Sequence, residues 1–348
     1  MILGVLLRRR AHLKTLASVI DAGHARGHDV RIIYDPVAAK KGDSLNRDEV
    51  TRIWPATPIS RPRGTRESRP PEVDVLVGVD AALAPFSGLP MIGVDNFFDR
   101  WLQPLRSDVT YAWTSLTHVT THRTLWSGEI HHPSIVGWLQ ADQVSLASVD
   151  AAMDGIREPR DSAVFFTLKM AVPEPWRHSR EGRASYRDIF EQAKRKAKDE
   201  GLRFIVKSRA KHRDPWWVRW RWAEYHLDEC MVPYTSLSLL ARAEWCVHFE
   251  SGAVWEAALM GAYSYAIPVP QSHIINLPGG RLQYGGDALM HDWPAVSQYG
   301  MEGPGRVPQR IIRRPRVDQE ARRAYLDHFL GPCDGKAGER VVQMAEGR

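Results

Sequence analysis

Residues 1–36 decide the fold, and they read MILGVLLRRRAHLKTLASVIDAGHARGHDVRIIYDP. Residues 1–7 form an unbroken apolar run, which is typical of a strand buried on both faces of a sheet. A helical pattern covers residues 13–25, Gly27 stands where helices commonly end, and residues 30–34 form a second apolar run. Strand, helix and strand at this spacing predict a βαβ unit with a parallel pair of strands.

Short apolar segments continue to alternate with helical segments along the chain, which predicts an α/β fold of two Rossmann-like, doubly wound domains facing each other across a cleft. We expect an acceptor-side domain over residues 1–150, a nucleotide-donor domain over 160–312, and C-terminal helices over 313–348 that pack back on the domains. Residues 37–71 are predicted to be mostly loop with one short helix, and residues 138–162 a connector. The other predicted strands are 73–79, 90–94, 110–113, 135–136, 163–168, 204–206, 245–249 and 263–268, and the other predicted helices are 186–200, 236–243, 254–260, 318–330 and 338–345.

The composition is that of a globular protein with a basic balance. The chain has 348 residues, of which 43% are hydrophobic and 25% charged, and these values argue against disorder. A net charge of +6 favours anionic partners: nucleotides, phosphates, nucleic acid or acidic lipid surfaces. Three cysteines without a CxxC pair favour neither a zinc site nor a disulfide framework. The sequence has no apolar run of about 20 residues, which is the length that a membrane helix needs. No basic stretch precedes the apolar N-terminus, as it would in a secretory signal, so we expect a cytoplasmic protein.

Ligands of open parallel sheets bind beyond the carboxyl ends of the strands, so the residues just after each predicted strand are the candidates for a site. Several of these residues are polar or charged, as a cleft for an anionic, hydroxylated ligand requires. They are residues 8–12, Asp35, Asp80, 95–96, Lys169, 207–212, 250–252 and 271–273.

Glu250, Ser251 and Gly252 lie between a predicted strand and a predicted helix. Small residues at a helix start leave backbone N–H groups accessible, and the helix dipole favours negative charge there, so this turn is a candidate phosphate seat. The alternative is an ordinary capping serine with a tight-turn glycine. Glu256, one turn further on, is able to accept both hydroxyls of a ribose, or is simply a solvated helix residue.

The segment Lys207-Ser208-Arg209-Ala210-Lys211-His212 gathers cations at a strand end. Such a group suits a pyrophosphate or a carboxylate. An exposed basic loop explains the same residues equally well.

Together these segments resemble the donor half of the GT-B glycosyltransferases and related CDP-glycerol-type transferases. The resemblance covers about residues 160–270, and it departs from the family where Gly261-Ala262-Tyr263 replaces the usual Gly-Val-Pro. Non-hydrolysing sugar epimerases share the fold, but their signature residues are not seen here. The similar motifs are 207–212, Pro233-Tyr234-Thr235-Ser236, 239–245, Glu250-Ser251-Gly252, and Glu256-Ala257-Ala258 followed by Gly261.

The resemblance implies a set of donor contacts and a co-substrate. Ser236, Ser251 and Gly252 would contact the donor diphosphate, Lys207 or Arg209 would balance its charge, and Glu256 would hold the ribose. A UDP-type nucleotide sugar is the implied co-substrate, with no further cofactor and no metal, because fixed cations and helix dipoles would stabilise the leaving diphosphate. The complete predicted donor-binding set is Lys207, Arg209, His212, Thr235, Ser236, Glu250, Ser251, Gly252 and Glu256.

His12 and Asp95 are the predicted catalytic residues. In inverting GT-B enzymes a histidine or carboxylate near the first strand often takes the acceptor's proton, and His12 stands just after the first strand. Its ordinary pKa of about 6.5 suits a proton acceptor at neutral pH, and Asp95 is a candidate to orient it. Alternatively, His12 is a helix-start residue between the domains.

Residues 216–222 read WWVRWRW, which is unusual. Tryptophans alternating with arginines are able to stack on bases or sugars while the cations hold phosphates. They are also able to pack as one face of an element, or to contact a membrane surface.

Three functional hypotheses follow. The first is a transferase that moves a sugar or a similar unit from a nucleotide-linked donor to a hydroxyl acceptor. The second has the same fold but acts on hydroxylated bases of DNA, as phage-type base glycosyltransferases do, and it is motivated by the basic balance and the Trp/Arg stretch. The third is a non-catalytic nucleotide-binding protein with a decayed transferase fold.

Overall fold

In the computed structural model the chain divides into two compact units, each built on a parallel sheet. Unit 1 comprises Met1–Ser145, Leu277–Gly280 and Asp327–Arg348, and unit 2 comprises Leu146–Asn276 and Arg281–Leu326. The structure describes residues 1–36, 44–61, 72–79, 83–95, 104–126, 130–145, 160–167, 180–208, 214–220, 224–249, 252–266, 273–277, 280–284 and 319–348.

The sheet of unit 1 has seven strands in the order β3-β2-β1-β4-β5-β6-β7, and every neighbouring pair is parallel. Its central strands are apolar on both faces because helices cover both sides, as the uniform burial of β1 and β4 shows. The strands are β1 Ile2–Leu7, β2 Asp29–Tyr34, β3 Ile59–Ser60, β4 Val75–Val79, β5 Met91–Val94, β6 Val109–Trp113 and β7 Ser134–Ile135.

The helices of unit 1 pack their apolar stripes on this sheet. In α1 (Ala11–Ala25) the stripe includes Leu13, Leu16 and Ile20, which are fully buried. The other helices are α2 Arg47–Ile53, α3 Leu116–Trp126, a 3-10 turn over Leu139–Gln143 and, from the end of the chain, α9 Ala337–Glu346.

Helix α9 packs closely on α1 through Gly338. A Cβ at Gly338 would lie 2.3 Å from the carbonyl oxygen of Ser18, so only glycine permits this approach of the two helices. Asp142 accepts hydrogen bonds from the first N–H groups of the helix, those of Ala337 and Gly338, at 3.1 and 2.8 Å. Arg26, the residue that follows α1, pairs with Glu346 at 2.7 Å. The last helix of the chain is therefore an integral layer of unit 1.

The sheet of unit 2 has five parallel strands in the order β10-β9-β8-β11-β12, which is the order 3-2-1-4-5 when counted within the unit. The first five strands of unit 1 have the same order. Both sheets are thus doubly wound in the Rossmann manner. The strands are β8 Ser162–Phe166, β9 Arg203–Lys207, β10 Glu224–His226, β11 Ala243–His248 and β12 Tyr263–Ala266, and a separate two-stranded sheet pairs β13 His273–Leu277 with β14 Gly280–Tyr284.

An aromatic core lies on one face of the second sheet. Phe165 makes edge contacts with Phe190 and Phe249 at centroid distances of 5.2 and 5.8 Å. Trp217 packs on Phe190 at 5.4 Å, whereas the neighbouring Trp216 is 70% exposed. The helices of this unit are α4 Arg180–Asp199, α5 Trp216–Trp220, α6 Thr235–Ala241, α7 Ala253–Met260 and α8 Gln319–Leu330, the last of which crosses the boundary between the units.

The predicted α/β class with two Rossmann-like units is confirmed, and most predicted elements are present with shifts of one to three residues at their ends. The structure adds α3, α5, β3, β10, β13, β14 and the 3-10 turn over Leu139–Gln143, which the sequence patterns did not predict. In the unusual stretch 216–222, Trp217 packs against the core whereas Trp216 is exposed. Residues 221 and 222 of this stretch lie outside the described residues. No helix among the described residues has both the length and the apolar content that crossing a bilayer requires.

Candidate functional site

Each sheet has one switch point, where the strand order reverses. In unit 1 it lies between β1 and β4, and in unit 2 between β8 and β11. Crevices beyond the carboxyl ends of the strands at such points are where doubly wound sheets bind their ligands. The segments that follow these strands are therefore the candidate sites.

The amino end of α7 lies at the switch point of unit 2. Helix α7 follows β11 directly, and Gly252 is its N-cap with helical backbone angles, φ −58° and ψ −6°. Gly252 has no side chain to cover the first turn, and a Cβ built there would meet only the ring of Trp255, at 3.8 Å. The first turn thus offers the positive end of a helix dipole at the position expected for a phosphate.

Two arginines hold the opposite end of α7. Arg160 donates hydrogen bonds to the carbonyl oxygens of Ala243 and Met260, and Arg322 donates to those of Ala258 and Leu259. Gly261 closes the helix in the left-handed conformation, φ 69°. The last carbonyl groups of α7 are therefore satisfied by cations, which also favours the orientation of its dipole.

The ends of β8 and β9 are tied together by hydrogen bonds. The hydroxyl of Thr167, just after β8, donates to Ser208 Oγ at 3.2 Å, and the Thr167 N–H donates to the Lys207 carbonyl at 3.0 Å. Lys207 is 3% exposed, and its ammonium donates to Asp228 at 2.5 Å and to the Ser208 carbonyl at 2.7 Å. Its charge is thus already compensated by Asp228, so the predicted role of Lys207 in balancing a diphosphate requires competition with that carboxylate.

Thr235 and Ser236 begin α6. The Thr235 hydroxyl accepts from the Cys230 N–H at 2.9 Å and donates to the Cys230 carbonyl at 3.1 Å, so it closes the preceding turn. These two hydrogen bonds engage the Thr235 hydroxyl, which was predicted to face the donor. Ser236 is 2% exposed in the first turn of the helix. Contact of either residue with a donor stays a prediction.

Glu256 lies in the first turn of α7 and is buried. Its position agrees with the predicted one, and ribose binding by its carboxylate stays a prediction. Nearby, burial raises the pKa of the Cys246 thiol to about 12. The hydrogen bond with Ser264 lowers this pKa, and the charge of Glu256 raises it further. The Cys246 thiol is therefore neutral near pH 7.

In unit 1, Asp95 forms a buried pair with His118. Asp95 follows β5, and its Oδ2 lies 2.5 Å from His118 Nδ1 and accepts from the Thr114 N–H at 3.3 Å. Both side chains of the pair are 1% exposed. His118 lies in the first turn of α3, and His122 follows one helical turn later against the ring of Trp113. His118 was not among the predicted site residues, because the sequence pattern did not predict α3.

His12 is buried in the first turn of α1, just after β1. Its Nδ1 accepts a hydrogen bond from the Arg8 N–H at 3.3 Å. With Nδ1 as acceptor, the neutral ring carries its proton on Nε2 and acts as a donor there. Taking a proton at His12 would therefore require this hydrogen bond to break, and orientation of His12 by Asp95 stays a prediction.

Four of the predicted site residues, Arg209, His212, Glu250 and Ser251, lie outside the described residues. Within the described residues, no group of three or more His, Cys, Asp or Glu side chains has the arrangement of a metal site.

Comparison with known proteins supports the fold. No protein-family model and no curated protein matches the sequence. Among solved structures, UDP-GlcNAc 2-epimerase from Methanocaldococcus jannaschii is 13% identical over all of both chains, with a TM-score of 0.57. The H444N variant of the wall teichoic acid polymerase TagF is 9% identical, covers 100% of this chain and 88% of its own, and has a TM-score of 0.56. A putative UDP-N-acetylglucosamine 2-epimerase from Listeria monocytogenes is 10% identical over 99% and 96%, with a TM-score of 0.53.

These likenesses, together with the two doubly wound sheets, define the chain as a protein of the GT-B fold. At such low identities they establish the fold and leave the reaction to be argued from the site.

Proposed function

We propose that the chain is a nucleotide-sugar-dependent glycosyltransferase, in which α7 of unit 2 holds the diphosphate of a UDP-type donor and unit 1 serves the hydroxyl acceptor. The observation that carries the proposal is the amino end of α7 at the switch point of its sheet, with glycine as its cap. The M. jannaschii epimerase of the same fold was crystallised in complex with UDP-GlcNAc and UDP, which is consistent with a UDP site in this fold.

In the proposed reaction, the acceptor oxygen bonds to the anomeric carbon, the bond from that carbon to the diphosphate breaks, and the acceptor proton passes to a base. Negative charge then grows on the leaving diphosphate. The first turn of α7 stabilises that charge through its dipole, and it needs no reorganisation because Arg160 and Arg322 already fix the other end of the helix.

Of the three buried histidines that the structure describes in unit 1, His118 has the hydrogen bond typical of a general base. Asp95 at Nδ1 would keep the proton on that nitrogen, so that Nε2 is the basic atom, whereas the bond from Arg8 gives His12 the opposite tautomer. We therefore propose His118, oriented by Asp95, as the proton acceptor ahead of the predicted His12.

The donor site is tested by Gly252→Asp, with binding of UDP measured by calorimetry and stability by urea unfolding. Gly252 already has helical backbone angles and a carboxylate is favourable near a helix N-terminus, so we expect stability to change by no more than about 1 kcal/mol. The added carboxylate would repel a diphosphate, so we expect the affinity for UDP to fall at least about tenfold.

Gly252→Ala is the matched neutral variant. Its methyl group would meet only Trp255, so we expect stability to change by no more than about 1 kcal/mol while UDP binding still weakens through steric contact. If both variants bind UDP as the wild type does, the diphosphate does not lie at α7 and the proposal is wrong.

The base is tested by His118→Gln and His12→Gln, with release of UDP from a panel of UDP-sugars as the measurement. We expect His118→Gln to lower turnover about 100-fold with UDP binding intact, and His12→Gln to lower it much less. Conversion of UDP-GlcNAc to another UDP-sugar without an acceptor would instead make the protein an epimerase.

A further inference from the structure

A polar groove of about 500 Å³ opens in unit 1 beside the start of α1. Arg10, one of its lining residues, lies just beyond the end of β1, a strand that flanks the switch point of this sheet. The volume of the groove is typical of sites for small ligands. The residues that line it are Arg10, Ser44, Asn46, Asp48, Glu49 and Arg52.

The floor of the groove is fixed before any ligand binds. Arg10 and Glu49 form a bidentate ion pair, with Nε–Oε2 at 2.8 Å and Nη2–Oε1 at 2.9 Å, and Glu49 is 8% exposed. The hydroxyl of Tyr34, at the end of β2, donates to the Leu45 carbonyl at 2.9 Å. These bonds hold α2 and the segment before it against the sheet, so binding there would cost little ordering of the protein.

The rim of the groove offers uncompensated charges of both signs. Asp48 and Arg52 lie one helical turn apart on α2, both are exposed, and neither makes an ion pair within the part of the chain that the structure describes. The Asn46 side-chain oxygen accepts from the Asp48 N–H at 2.9 Å, which leaves the amide N–H groups of Asn46 as donors. A guanidinium binds anionic oxygens, and a carboxylate accepts hydroxyl groups.

We propose that this groove binds a hydroxylated small molecule carrying one anionic group, with Arg52 holding the anion and Asp48 accepting hydroxyls. Its role as the acceptor site rests on the proposed transferase function, but the binding itself does not. The chemistry fits both a sugar phosphate and a sugar carboxylate.

The test measures binding to the full chain without any nucleotide, by NMR or calorimetry, with glucose 6-phosphate, glucuronate and glucose as probes. We expect the two anions to bind at least about tenfold more tightly than glucose. Arg52→Gln should reduce the affinity for both anions about tenfold and leave that for glucose unchanged. Arg47→Gln is the matched control, because Arg47 is an exposed residue of α2 that does not line the groove.

A second variant, Asp48→Asn, should weaken the binding of all three probes several-fold, because Asp48 would accept hydrogen bonds from the hydroxyl groups that they share. The proposal is overturned if no probe binds, if glucose binds as tightly as the anions, or if Arg47→Gln and Arg52→Gln have equal effects. UDP binding is measured separately on the same variants. If anions bind in the groove but UDP does not bind to the protein, the proposed groove site is supported and the proposed transferase function is wrong.

Discussion

At the end of β10, His226 lies between two carboxylates. Its Nε2 is 2.8 Å from Glu224 and its Nδ1 is 3.0 Å from Glu229. Burial acts to lower the pKa of His226, but the hydrogen bonds and charges of Glu224 and Glu229 outweigh it, and the pKa is raised above its ordinary value of 6.5. Folding therefore favours the protonated ring.

From this we predict a pH dependence of stability. The contribution of His226 to the free energy of unfolding is fully present below pH 6.5, which is the pKa of histidine in the unfolded chain. This contribution is lost as the pH rises through the raised pKa of the folded protein. Because the group is partly exposed, we expect a loss of at most about 1 kcal/mol. Urea unfolding between about pH 6 and pH 9 should show a flatter profile for His226→Gln, while His328→Gln, on the surface of α8, should keep the wild-type slope.

The three cysteines should differ in reactivity. Burial raises the pKa of the Cys246 thiol to about 12, whereas Cys230 and Cys333 are only half-buried. We expect two thiols to react with Ellman's reagent in the native protein and the third only after unfolding. Cys246→Ser should remove the slow thiol, and rapid modification of three thiols in the native wild type would contradict the buried placement.

At the scale of elements, α7 depends on the side chains at its C-terminal end. Arg322→Ala leaves the carbonyl groups of Ala258 and Leu259 without their guanidinium donor, so we expect the free energy of unfolding to fall by about 1–3 kcal/mol. Arg323→Ala, at the next and exposed position of α8, should change it by less than about 0.5 kcal/mol. Equal losses in the two variants would mean that the cap does not stabilise the helix.

The elements that the sequence predicted are those with strong apolar patterns. Strands β1 and β2 and helix α1 follow directly from residues 1–36. Helix α3 was missed because LTHVTTHRTLW contains four threonines, which are poor helix formers, and few apolar residues. Strand β10 was missed because Glu224–His226 is a short, polar edge strand, and edge strands lack the buried faces that give a pattern.

The candidate site was predictable in position but only partly in its contacts. The rule on strand ends placed Gly252 and Lys207 correctly at the carboxyl edge of the second sheet. The compensation of Lys207 by Asp228 and the pairing of Asp95 with His118 join residues about 20 positions apart, and no local pattern carries such partners. They follow from the crossover connections of the sheets.

At the scale of the whole molecule, the net charge of +6 bears on the DNA-modifying alternative. A basic protein without a specific site binds DNA through counterion release alone. We therefore expect any binding to duplex DNA at low salt to be lost by about 200 mM salt, and to be equal for plain and hydroxymethylated duplexes in mobility-shift assays. Binding of the hydroxymethylated duplex that survives this salt would favour the DNA-modifying alternative over a small-molecule acceptor.

The packing of α9 on α1 has a consequence for biosynthesis. In unit 1, helix α1 (Ala11–Ala25) is covered by helix α9 (Ala337–Glu346), which lies far later in the chain. During synthesis the α9-facing side of α1 therefore stays uncovered until residues 337–346 have been made. We expect nascent chains that stop short of α9 to bind chaperones more than chains that include it.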